Sequence, residues 1–454
     1  MNYQKVLDDQ KVYYQAQKTK SYEFRIESLK LLKEAIITYD QEIKEALKSD
    51  LNKSEFESFL TEIGITILEI NLVMKNLKKW MKPKRVKTPI TLFHATSYIY
   101  QEPYGTVFIM SPWNYPFQLA ISPLIGAIAA GNTVILKTSQ DSPETSKVIK
   151  KMLSEIFSSE LVSVFTGDLE ESKALLKLKY DYIFFTGSTP VGRVVMSEAS
   201  KNLIPVTLEL GGKSPAIIDE TVDLDLTAKR IAYGKFMNAG QTCIAPDYIL
   251  IKEELKDSFV GFIKKHVESW FGENPLDHED YPKIINEKNH TRLLSLIEDE
   301  SVVFGGRFSI DKIEPTILNH ITKNSKVMQE EIFGPILPLL TFSDEADLIE
   351  EMKQFEKPLA LYLFTKNKSF EKKIIEELSF GGATINDTMM HFGNKNIPFG
   401  GIGASGMGSY HGYKSFETFS HAKGVVKRST TVDLSFRYPP YTKKKLKLLN
   451  KIIK

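Results

Sequence analysis

Cys243 carries the strongest potential nucleophile of this chain, and it is the only cysteine among the 454 residues. A single thiol excludes an intramolecular disulfide and a cysteine-rich metal site, so Cys243 is either a buried structural residue or a nucleophile. Gly240 and Gln241 before it and Pro246 after it place it on a loop, where reactive groups are commonly presented. Attack on a carbonyl carbon would also require a donor for the oxyanion and a base.

Three polar residues in apolar surroundings are candidates for these two roles. Asn114 lies on a short segment between Pro112 and Pro116, and its amide is a candidate oxyanion donor; an Asx turn is the alternative. Glu209 and Glu331 stand beside predicted buried strands. Burial raises the pKa of a carboxyl group towards the range of a useful base, although a salt bridge is the alternative explanation for each acid.

Two features predict a site for a phosphate-bearing ligand. The turn from Gly187 through Ser188 to Gly192 lies between a predicted strand at 182–185 and a predicted helix, so its backbone N–H groups could meet a phosphate. Lys137 ends the predicted strand at 133–136, at the edge where open α/β sheets bind ligands. A plain connecting turn and a solvated strand end are the respective alternatives.

The segment 401–406 also satisfies the dinucleotide pattern G-x-G-x-x-G. That pattern binds pyrophosphate only when it follows a strand and opens a helix. Here Pro398 and Phe399 precede the glycines and a further glycine-rich run follows them. We therefore interpret this segment as a sharply turning structural loop.

The elements that must position these residues alternate between strand and helix. From residue 100 onward, short apolar strands are followed by helical or turn segments, and this alternation predicts parallel sheets with helices on both faces. The first block contains the predicted strands 106–110, 133–137, 162–167 and 181–187, with a buried helix at 117–130. The second block contains the predicted strands 205–210, 215–219, 247–251, 335–340 and 359–364. The fold class predicted is thus α/β, with two doubly wound parallel-sheet domains.

Outside these blocks, residues 21–80 have apolar residues at helical spacing and predict two long amphipathic helices. Residues 91–99 predict a strand that leaves the main body. The Lys-rich end of the chain, from residue 442, predicts an amphipathic tail. A solvated end is the preferred interpretation of this tail; a cover over a substrate entrance and contact with an anionic membrane surface are the alternatives.

Composition narrows the class of protein and of partner. Lys and Arg number 59 against 57 Asp and Glu, a net charge of +2 that does not favour a nucleic-acid partner. The long uncharged stretch 103–136 is interrupted by prolines and glycines, which favours a buried βαβ unit over a membrane span. The polar N-terminus lacks the pattern of a secretory signal, so we expect a cytoplasmic protein.

Seven segments in this order resemble the motifs of the aldehyde dehydrogenase superfamily. They are Pro112-Trp113-Asn114, Leu136-Lys137, Phe185-Thr186-Gly187-Ser188, Glu209-Leu210-Gly211-Gly212-Lys213, Gly240-Gln241-Thr242-Cys243, Glu330-Glu331-Ile332-Phe333-Gly334-Pro335 and Pro398-Phe399-Gly400-Gly401. The resemblance covers nearly the whole chain, and the segment 405–419 is similar to the class 3 branch, which includes enzymes for fatty, medium-chain and aromatic aldehydes.

The resemblance implies a role for each candidate in the chemistry. The thiolate of Cys243 would attack the aldehyde, and the oxyanion would be held by the Asn114 amide and the backbone N–H of Cys243. Glu209 would activate the water that hydrolyses the thioester. In class 3 the equivalent of Glu331 is also discussed as the base, which leaves the assignment between the two acids open. No metal is implied.

The resemblance also implies NAD or NADP as the cofactor. Glu331 and Phe333 would position the nicotinamide ribose and ring. Lys137 would bind the adenosine ribose, and the turn at Gly187, Ser188 and Gly192 would hold the pyrophosphate. Where the family commonly has a glutamate that contacts the ribose hydroxyls, this chain has Gln140. Because a neutral amide does not repel a 2′-phosphate as a carboxylate does, we predict use of both cofactors.

Five positions close to the motifs are predicted to line the substrate tunnel and suggest an apolar aldehyde: Tyr115, Met237, Thr242, Ile244 and His391. An acylating dehydrogenase, in which coenzyme A takes the thioester, is one alternative, and a catalytically silent homologue with a structural or binding role is another. The presence of Glu209 argues against the first alternative. Cys243, Asn114 and both acids argue against the second.

The predicted organisation follows the family. Residues 1–80 and 100–206 would form a Rossmann-like dinucleotide-binding domain, and residues 207–395 a catalytic domain. Residues 81–99 and 396–430 match the oligomerisation elements of the family, so a homodimer is expected. Residues 431–454 would form the tail.

Overall fold

The computed structural model describes residues 2–453. The helices are α1 (Tyr3–Gln15), α2 (Tyr22–Thr38), α3 (Asp40–Leu51), α4 (Glu55–Ser58), α5 (Gly64–Trp80), α6 (Gln118–Ala130), α7 (Pro143–Ile156), α8 (Leu169–Leu176), α9 (Thr189–Ser200), α10 (Leu224–Phe236), α11 (Lys256–Phe271), α12 (Glu287–Ser295), α13 (Glu345–Met352), α14 (Lys368–Glu377), α15 (Met390–Gly393), α16 (Tyr413–Thr418) and α17 (Lys443–Ile453). The strands are β1 (Lys84–Val86), β2 (Ala95–Pro103), β3 (Thr106–Met110), β4 (Thr133–Lys137), β5 (Val162–Phe165), β6 (Tyr182–Thr186), β7 (Val206–Glu209), β8 (Pro215–Ile218), β9 (Tyr248–Lys252), β10 (Ser301–Phe304), β11 (Thr316–Asn319), β12 (Ile336–Phe342), β13 (Ala360–Phe364), β14 (Gly382–Ile385), β15 (Gly406–Met407) and β16 (Ser420–Arg428).

A six-stranded sheet in the order β15-β7-β6-β3-β4-β5 forms the first core. Its neighbours pair in parallel except for the short strand β15, which is antiparallel to β7. Helix α6 is buried along its whole length and contacts β3 and β4. In the register of this sheet Thr186 pairs with Glu209, and Met110 pairs with Lys137. The carboxyl ends of β4, β6 and β7 therefore meet at one edge, where ligands bind to sheets of this kind.

A seven-stranded sheet in the order β10-β11-β12-β9-β8-β13-β14 forms the second core, and it is parallel except at the β10–β11 pair. The two sheets confirm the predicted α/β class. One strand assignment was wrong: the segment predicted as 205–210 was placed with the second block, whereas β7 pairs with β6 in the first sheet. An apolar strand followed by a turn looks the same in sequence whichever sheet receives it, because the partner strand is decided by tertiary packing.

A small antiparallel sheet, β1-β2-β16, stands apart from the two cores. Strands β2 and β16 pair over nine residues. The strand predicted to begin at residue 91 begins at Ala95, because a 3₁₀ turn at Ile90–Leu92 and a positive φ of 63° at His94 precede it. The prediction of an extended segment outside the main body is otherwise confirmed.

The helical region before this sheet is divided more finely than predicted. Where two long helices were expected between residues 21 and 80, the structure has α2, α3, α4 and α5. Asn52, at a left-handed φ of 55°, ends α3, and the Ser54 hydroxyl accepts from the backbone N–H of Glu57 to begin α4. Apolar periodicity continues through this break, which is why periodicity alone missed it.

The last helix, α17, has no buried residue, and its leucines and isoleucines are exposed. Within residues 2–453, no helix has both the length and the apolar character needed to cross a membrane.

In the segment 401–406, a Cβ on Gly401 would clash with the Ser405 carbonyl, and Gly406 pairs with Glu209 in the β15–β7 ladder. This segment is the tight structural loop that was predicted.

Candidate active site

The loop that carries Cys243 follows α10 and is held rigidly. Asn238 and Ala239 both adopt positive φ, 50° and 49°, and the Gln241 side chain donates to the Asn238 carbonyl at 3.0 Å. A Cβ on Gly240 would clash with the carbonyl of Gly334, so the loop packs directly against the segment 331–334. Glycine is therefore required at this contact, and the nucleophile candidate is brought next to Glu331 and its neighbours.

The Asn114 side chain lies against this loop. It is 3% exposed, and its Nδ2 donates to the Gln241 carbonyl at 3.0 Å. The main-chain carbonyl of Asn114 accepts from Asn238 Nδ2 at 2.8 Å. These contacts join residues more than a hundred positions apart in sequence. The Asn114 amide therefore binds the Cys243 loop and does not form a local Asx turn.

Glu209, at the end of β7, is a buried acid. It is 2% exposed, and neither carboxyl oxygen has a hydrogen-bond partner within residues 2–453. Burial raises the pKa of Glu209 well above its ordinary value. The salt-bridge alternative does not apply to Glu209 among the residues described, and a buried carboxyl free to exchange a proton is suited to acid–base chemistry.

Glu331 is half-buried beside the backbone of Gly211, where a Cβ would clash with its carboxyl group. Burial and the charge of Asp247 raise the pKa of Glu331 to about 8, against the opposing effect of a hydrogen bond from the Gly212 N–H. Its neighbour Glu330, and not Glu331, pairs with Arg292 at 3.0 Å. The site thus contains two carboxyl groups with raised pKa values.

Asp247, for which the sequence predicts no role, holds the segment around Glu331 in place. Its carboxylate pairs with Lys213 at 2.5 Å and accepts from the Ile332 N–H at 3.0 Å. Phe333 follows with a positive φ of 52°, and its ring meets that of Trp113 edge-on with centroids 5.4 Å apart. The sequence signal for Asp247 is an acid immediately before an apolar strand. Such an acid is more often exposed to solvent, so the signal is weak.

The Cys243 thiol lies within the electrostatic reach of both acids. Burial, followed by the negative charges of Glu331 and Glu209, raises the pKa of Cys243 above its ordinary value. A proton acceptor or a positive charge must therefore assist formation of the thiolate. The structure therefore places Asn114 and the segment of Glu331 against the Cys243 loop, with Glu209 close enough for its charge to act on the thiol.

Two of the predicted cofactor residues, Lys137 and Ser188, lie at the carboxyl edge of the six-stranded sheet. Lys137 is 4% exposed, with its Nζ donating to the Thr138 carbonyl at 2.6 Å, and burial lowers the pKa of Lys137. Ser188 precedes the twelve-residue helix α9, and its exposed side chain does not cap that helix. Free helix N–H groups and an ammonium group at one edge fit a dinucleotide phosphate and ribose.

Three further cofactor candidates differ in their surroundings. Gly187 donates its N–H to the Glu209 carbonyl at 3.0 Å, which joins the turn to the end of β7. The N–H of Gly192 is already used by the Ser188 carbonyl at 2.9 Å, and a Cβ there would lie 2.7 Å from the Leu210 side chain. Close helix packing therefore explains Gly192. Gln140 is exposed.

The five tunnel candidates fall into three groups. The hydroxyls of Tyr115 and Thr242 share a hydrogen bond of 2.7 Å next to Cys243, and the buried Ile244 follows directly. Met237 lines a mostly apolar cavity of about 160 Å³, whose walls include Phe56, Leu60, Phe236 and Trp270 together with the acids Glu57 and Asp280.

His391 is set further back. Its Nδ1 is 3.0 Å from the Thr384 hydroxyl, and its ring stacks on Phe399 with centroids 6.0 Å apart. Burial lowers the pKa of His391 to about 4, so the ring is neutral at physiological pH. Tyr362 connects His391 to the Cys243 loop, because its ring centroid lies 6.1 Å from that of His391 and its hydroxyl donates to the Ile244 carbonyl.

Across residues 2–453, no group of three or more His, Cys, Asp or Glu side chains is placed to hold a metal ion.

Three charged residues for which the sequence predicts no role contact the segments that carry Asn114 and Cys243. They are Lys53, Glu57 and Glu62. They lie in the helical region 21–80, where the sequence pattern does not distinguish a buried charged side chain from an exposed one.

The fold and the site fit the class of nucleotide-dependent oxidoreductases, and the thiol of Cys243 is the candidate nucleophile at this site. The model of the aldehyde dehydrogenase family matches residues 2–425, and the chain belongs to this family. It is an NAD(P)-dependent enzyme that oxidises aldehydes. The predicted resemblance is thereby confirmed, including its class 3 character, because several relatives are family 3 members.

Relatives and solved structures agree with this assignment. The chain is 49% identical over 437 residues to 4,4′-diaponeurosporen-aldehyde dehydrogenase of Staphylococcus aureus, covering 95% of each chain. It is 44% identical over 455 residues to aldehyde dehydrogenase family 3 member I1, chloroplastic, of Arabidopsis thaliana, covering 99% of this chain and 83% of the relative. A substrate-bound structure of Staphylococcus aureus AldH superposes with a TM-score of 0.97 at 48% identity, covering 99% of both chains. An indole-3-acetaldehyde dehydrogenase complexed with NAD⁺ superposes with a TM-score of 0.85 at 25% identity, covering 94% of this chain and 89% of that one.

Proposed function

We propose that Cys243 is the nucleophile in the oxidation of an apolar aldehyde to a carboxylic acid, with water as the final acceptor of the acyl group. The observation that carries this proposal is the packing of the Cys243 loop against Asn114 on one side and the segment 331–334 on the other. The thiolate adds to the carbonyl carbon, and the new oxyanion accepts from the Asn114 Nδ2 and the Cys243 N–H.

The cofactor is placed by residues of both sheets. Lys137 and the N-terminus of α9 at Ser188 bind its ribose and phosphate groups, and Glu331 and Phe333 hold the nicotinamide end. A bound NAD(P)⁺ would supply the hydride acceptor, and loss of the hydride would convert the thiohemiacetal at Cys243 into a thioester. Glu209 then takes a proton from water, the hydroxide attacks the thioester carbonyl, and the carboxylic acid leaves as the thiol is restored.

The presence of a free buried acid favours hydrolysis over acyl transfer to coenzyme A. Both oxygens of Glu209 lack partners among the described residues, so they are available to a water molecule. Adding coenzyme A to the assay should therefore leave carboxylic acid as the product. Formation of acyl-CoA would favour the acylating alternative, and a folded protein that reduces no cofactor with any aldehyde would favour the silent homologue.

We predict that the enzyme uses both cofactors, because Gln140 stands where a carboxylate would repel the 2′-phosphate of NADP⁺. The ratio of kcat/KM for NAD⁺ to that for NADP⁺ should lie below about a thousandfold, roughly 4 kcal/mol. Gln140→Glu should raise this ratio by about tenfold or more, whereas Gln140→Ala, which adds no charge, should not. A wild-type ratio above a thousandfold would contradict the prediction.

The substrate is proposed to be an apolar aldehyde that reaches Cys243 past Tyr115, Met237, Thr242 and Ile244, with His391 behind them. The mostly apolar cavity beside Met237 supports this choice. A panel of aliphatic, aromatic and charged aldehydes, with 4,4′-diaponeurosporen-aldehyde included because a relative acts on it, tests the proposal. Charged aldehydes should show the lowest kcat/KM of the panel.

We propose a cytoplasmic homodimer, with the small sheet as its oligomerisation element. Val425 and Val426 of β16 are exposed on this sheet, which supports a partner there. Light scattering tests the dimer, and cell fractionation tests the cytoplasmic location.

We propose the predicted division into domains with one change: the boundary at 206 moves to the end of β7, which belongs to the first sheet.

The proposed role of α17 is that of a solvated end. Truncation after Pro440 is expected to leave kcat and the preference for aldehyde chain length within about twofold of the full chain, because α17 buries no residue. A shifted chain-length preference would indicate a cover over the substrate entrance. Loss of sedimentation with anionic vesicles on truncation would indicate membrane contact.

A further inference from the structure

A buried ion pair connects the helical region to the site. The Nζ of Lys53 lies 2.5 Å from Oε1 of Glu62, and both side chains are 0% exposed. Removing two charges from water costs several kcal/mol per ion, so a pair at this depth needs further bonds to persist. Each member makes such bonds, and all of them go to the segment that carries Asn114.

Lys53 binds the middle of that segment. Its Nζ donates to the main-chain carbonyl of Asn114 at 3.0 Å and lies 3.9 Å from the centre of the Tyr115 ring. An ammonium group has three donors, and two of them are directed to Glu62 and Asn114. Lys53 thereby restricts the backbone of the residue whose amide is the proposed oxyanion donor.

Glu62 binds the end of the same segment. Its Oε2 accepts from the N–H groups of Phe117 at 2.9 Å and Gln118 at 3.1 Å, where α6 begins. A carboxylate at this position satisfies N–H groups that lack partners within the helix, and it interacts favourably with the helix dipole. A π-helical turn at Phe59–Ile63 carries Glu62, and such turns commonly occur at functional sites.

The same stretch of chain also binds the other loop of the site. Glu57 accepts from the backbone N–H of Asn238 at 2.9 Å, and Asn238 belongs to the loop that ends in Cys243. Residues 53–62 therefore contact the donor segment at two points and the nucleophile loop at a third. One piece of chain therefore holds both the donor segment and the nucleophile loop, in addition to the direct hydrogen bonds between them.

We propose that Lys53 and Glu62 are positioning residues that hold Asn114 at the distance from Cys243 required for the oxyanion. This inference rests on the proposed function, in which Asn114 is the donor. Oxyanion donors act within a few tenths of an ångström, and a displacement of about 1 Å can cost about a hundredfold in rate. Losing the Lys53 bond leaves Asn114 tied to the nucleophile loop through Asn238 and Gln241 but not to the helical region.

The test uses two variants and a matched control. Lys53→Met and Glu62→Gln are each expected to lower kcat by about 10- to 100-fold, with the Kd for NAD⁺ unchanged within about twofold. Asp50→Asn is the control, because Asp50 is a buried carboxylate that accepts from the Thr145 N–H at 2.8 Å at the start of α7. It should lower Tm to a similar extent while kcat stays within about twofold.

A double-mutant cycle separates positioning from general damage. If Lys53 acts through Asn114, Lys53→Met should lower kcat by less than about twofold in an Asn114→Ala background. An equal loss in both backgrounds, or wild-type kcat in both Lys53→Met and Glu62→Gln, would overturn the inference. Wild-type kcat in Asn114→Ala alone would instead refute the proposed role of Asn114, so the two failures are distinguishable. If Lys53→Met does not fold, the Glu62→Gln cycle gives the same decision.

Discussion

Cys243→Ser is expected to lower kcat by a factor on the order of 10⁴ or more while leaving the Kd for NAD(P)⁺ unchanged. A hydroxyl is a far weaker nucleophile than a thiol and needs a strong base. The charged groups that act on residue 243 here are the carboxylates of Glu331 and Glu209, which are weak bases for a hydroxyl. Lys137 and Ser188, which are proposed to bind the ribose and phosphates of the cofactor, lie at the other sheet and are not altered by this substitution.

Steady-state kinetics with a saturating aldehyde, together with cofactor titration by calorimetry, measure the two halves of this prediction. Cys243→Ala is the matched control, since it removes the sulfur without adding a polar group and should be equally inactive. Retention of more than about one per cent of kcat by Cys243→Ser would show that the thiol is not the nucleophile. An unchanged Tm would exclude unfolding as the cause of an observed loss.

The strands around this site could be predicted because they are buried on both faces. Segments such as Thr133–Lys137 and Tyr182–Thr186 are continuous apolar runs between turn residues, a pattern that parallel strands produce and exposed strands do not. The last residues of such strands, including Lys137 and Glu209, necessarily lie at the carboxyl edge. The position of much of the site therefore follows from local sequence.

The contacts that join distant segments could not be predicted in this way. Lys53 and Glu62 bind residues that lie more than fifty positions further along the chain. A charged residue in a helical pattern is normally placed on the solvated face, and only the packing of α6 against this region shows that both are buried. The same reasoning applies to Asp247, whose contact with Ile332 crosses 85 residues.

The two acids also differ in a way that sequence did not distinguish. Each stands in an apolar context, but they differ in their hydrogen bonds. Within residues 2–453 neither carboxyl oxygen of Glu209 has a partner, whereas the Glu331 carboxyl lies against Gly211 and accepts a hydrogen bond from the Gly212 N–H. A base must be able to accept a proton from water without first breaking other bonds. This difference favours Glu209 as the base of the hydrolytic step.

Glu209→Gln is accordingly expected to lower steady-state kcat by about 10³-fold, while the first turnover still yields reduced cofactor. The amide preserves the size of the side chain but cannot take a proton from water, so the thioester of Cys243 accumulates. Rapid-mixing absorbance would show a burst close to one equivalent per site followed by a slow phase. Mass spectrometry of the quenched enzyme would detect the acylated chain.

The pH dependence of the slow phase and a second variant decide between the acids. The pKa of Glu331 is raised to about 8, so its charged form increases as pH rises through 8, and any remaining hydrolysis in Glu209→Gln that uses Glu331 should increase over that interval. Glu331→Gln is the matched control and should turn over without a burst, with its main defect in the KM for the cofactor. The reverse pattern, a burst in Glu331→Gln and none in Glu209→Gln, would transfer the role of base to Glu331.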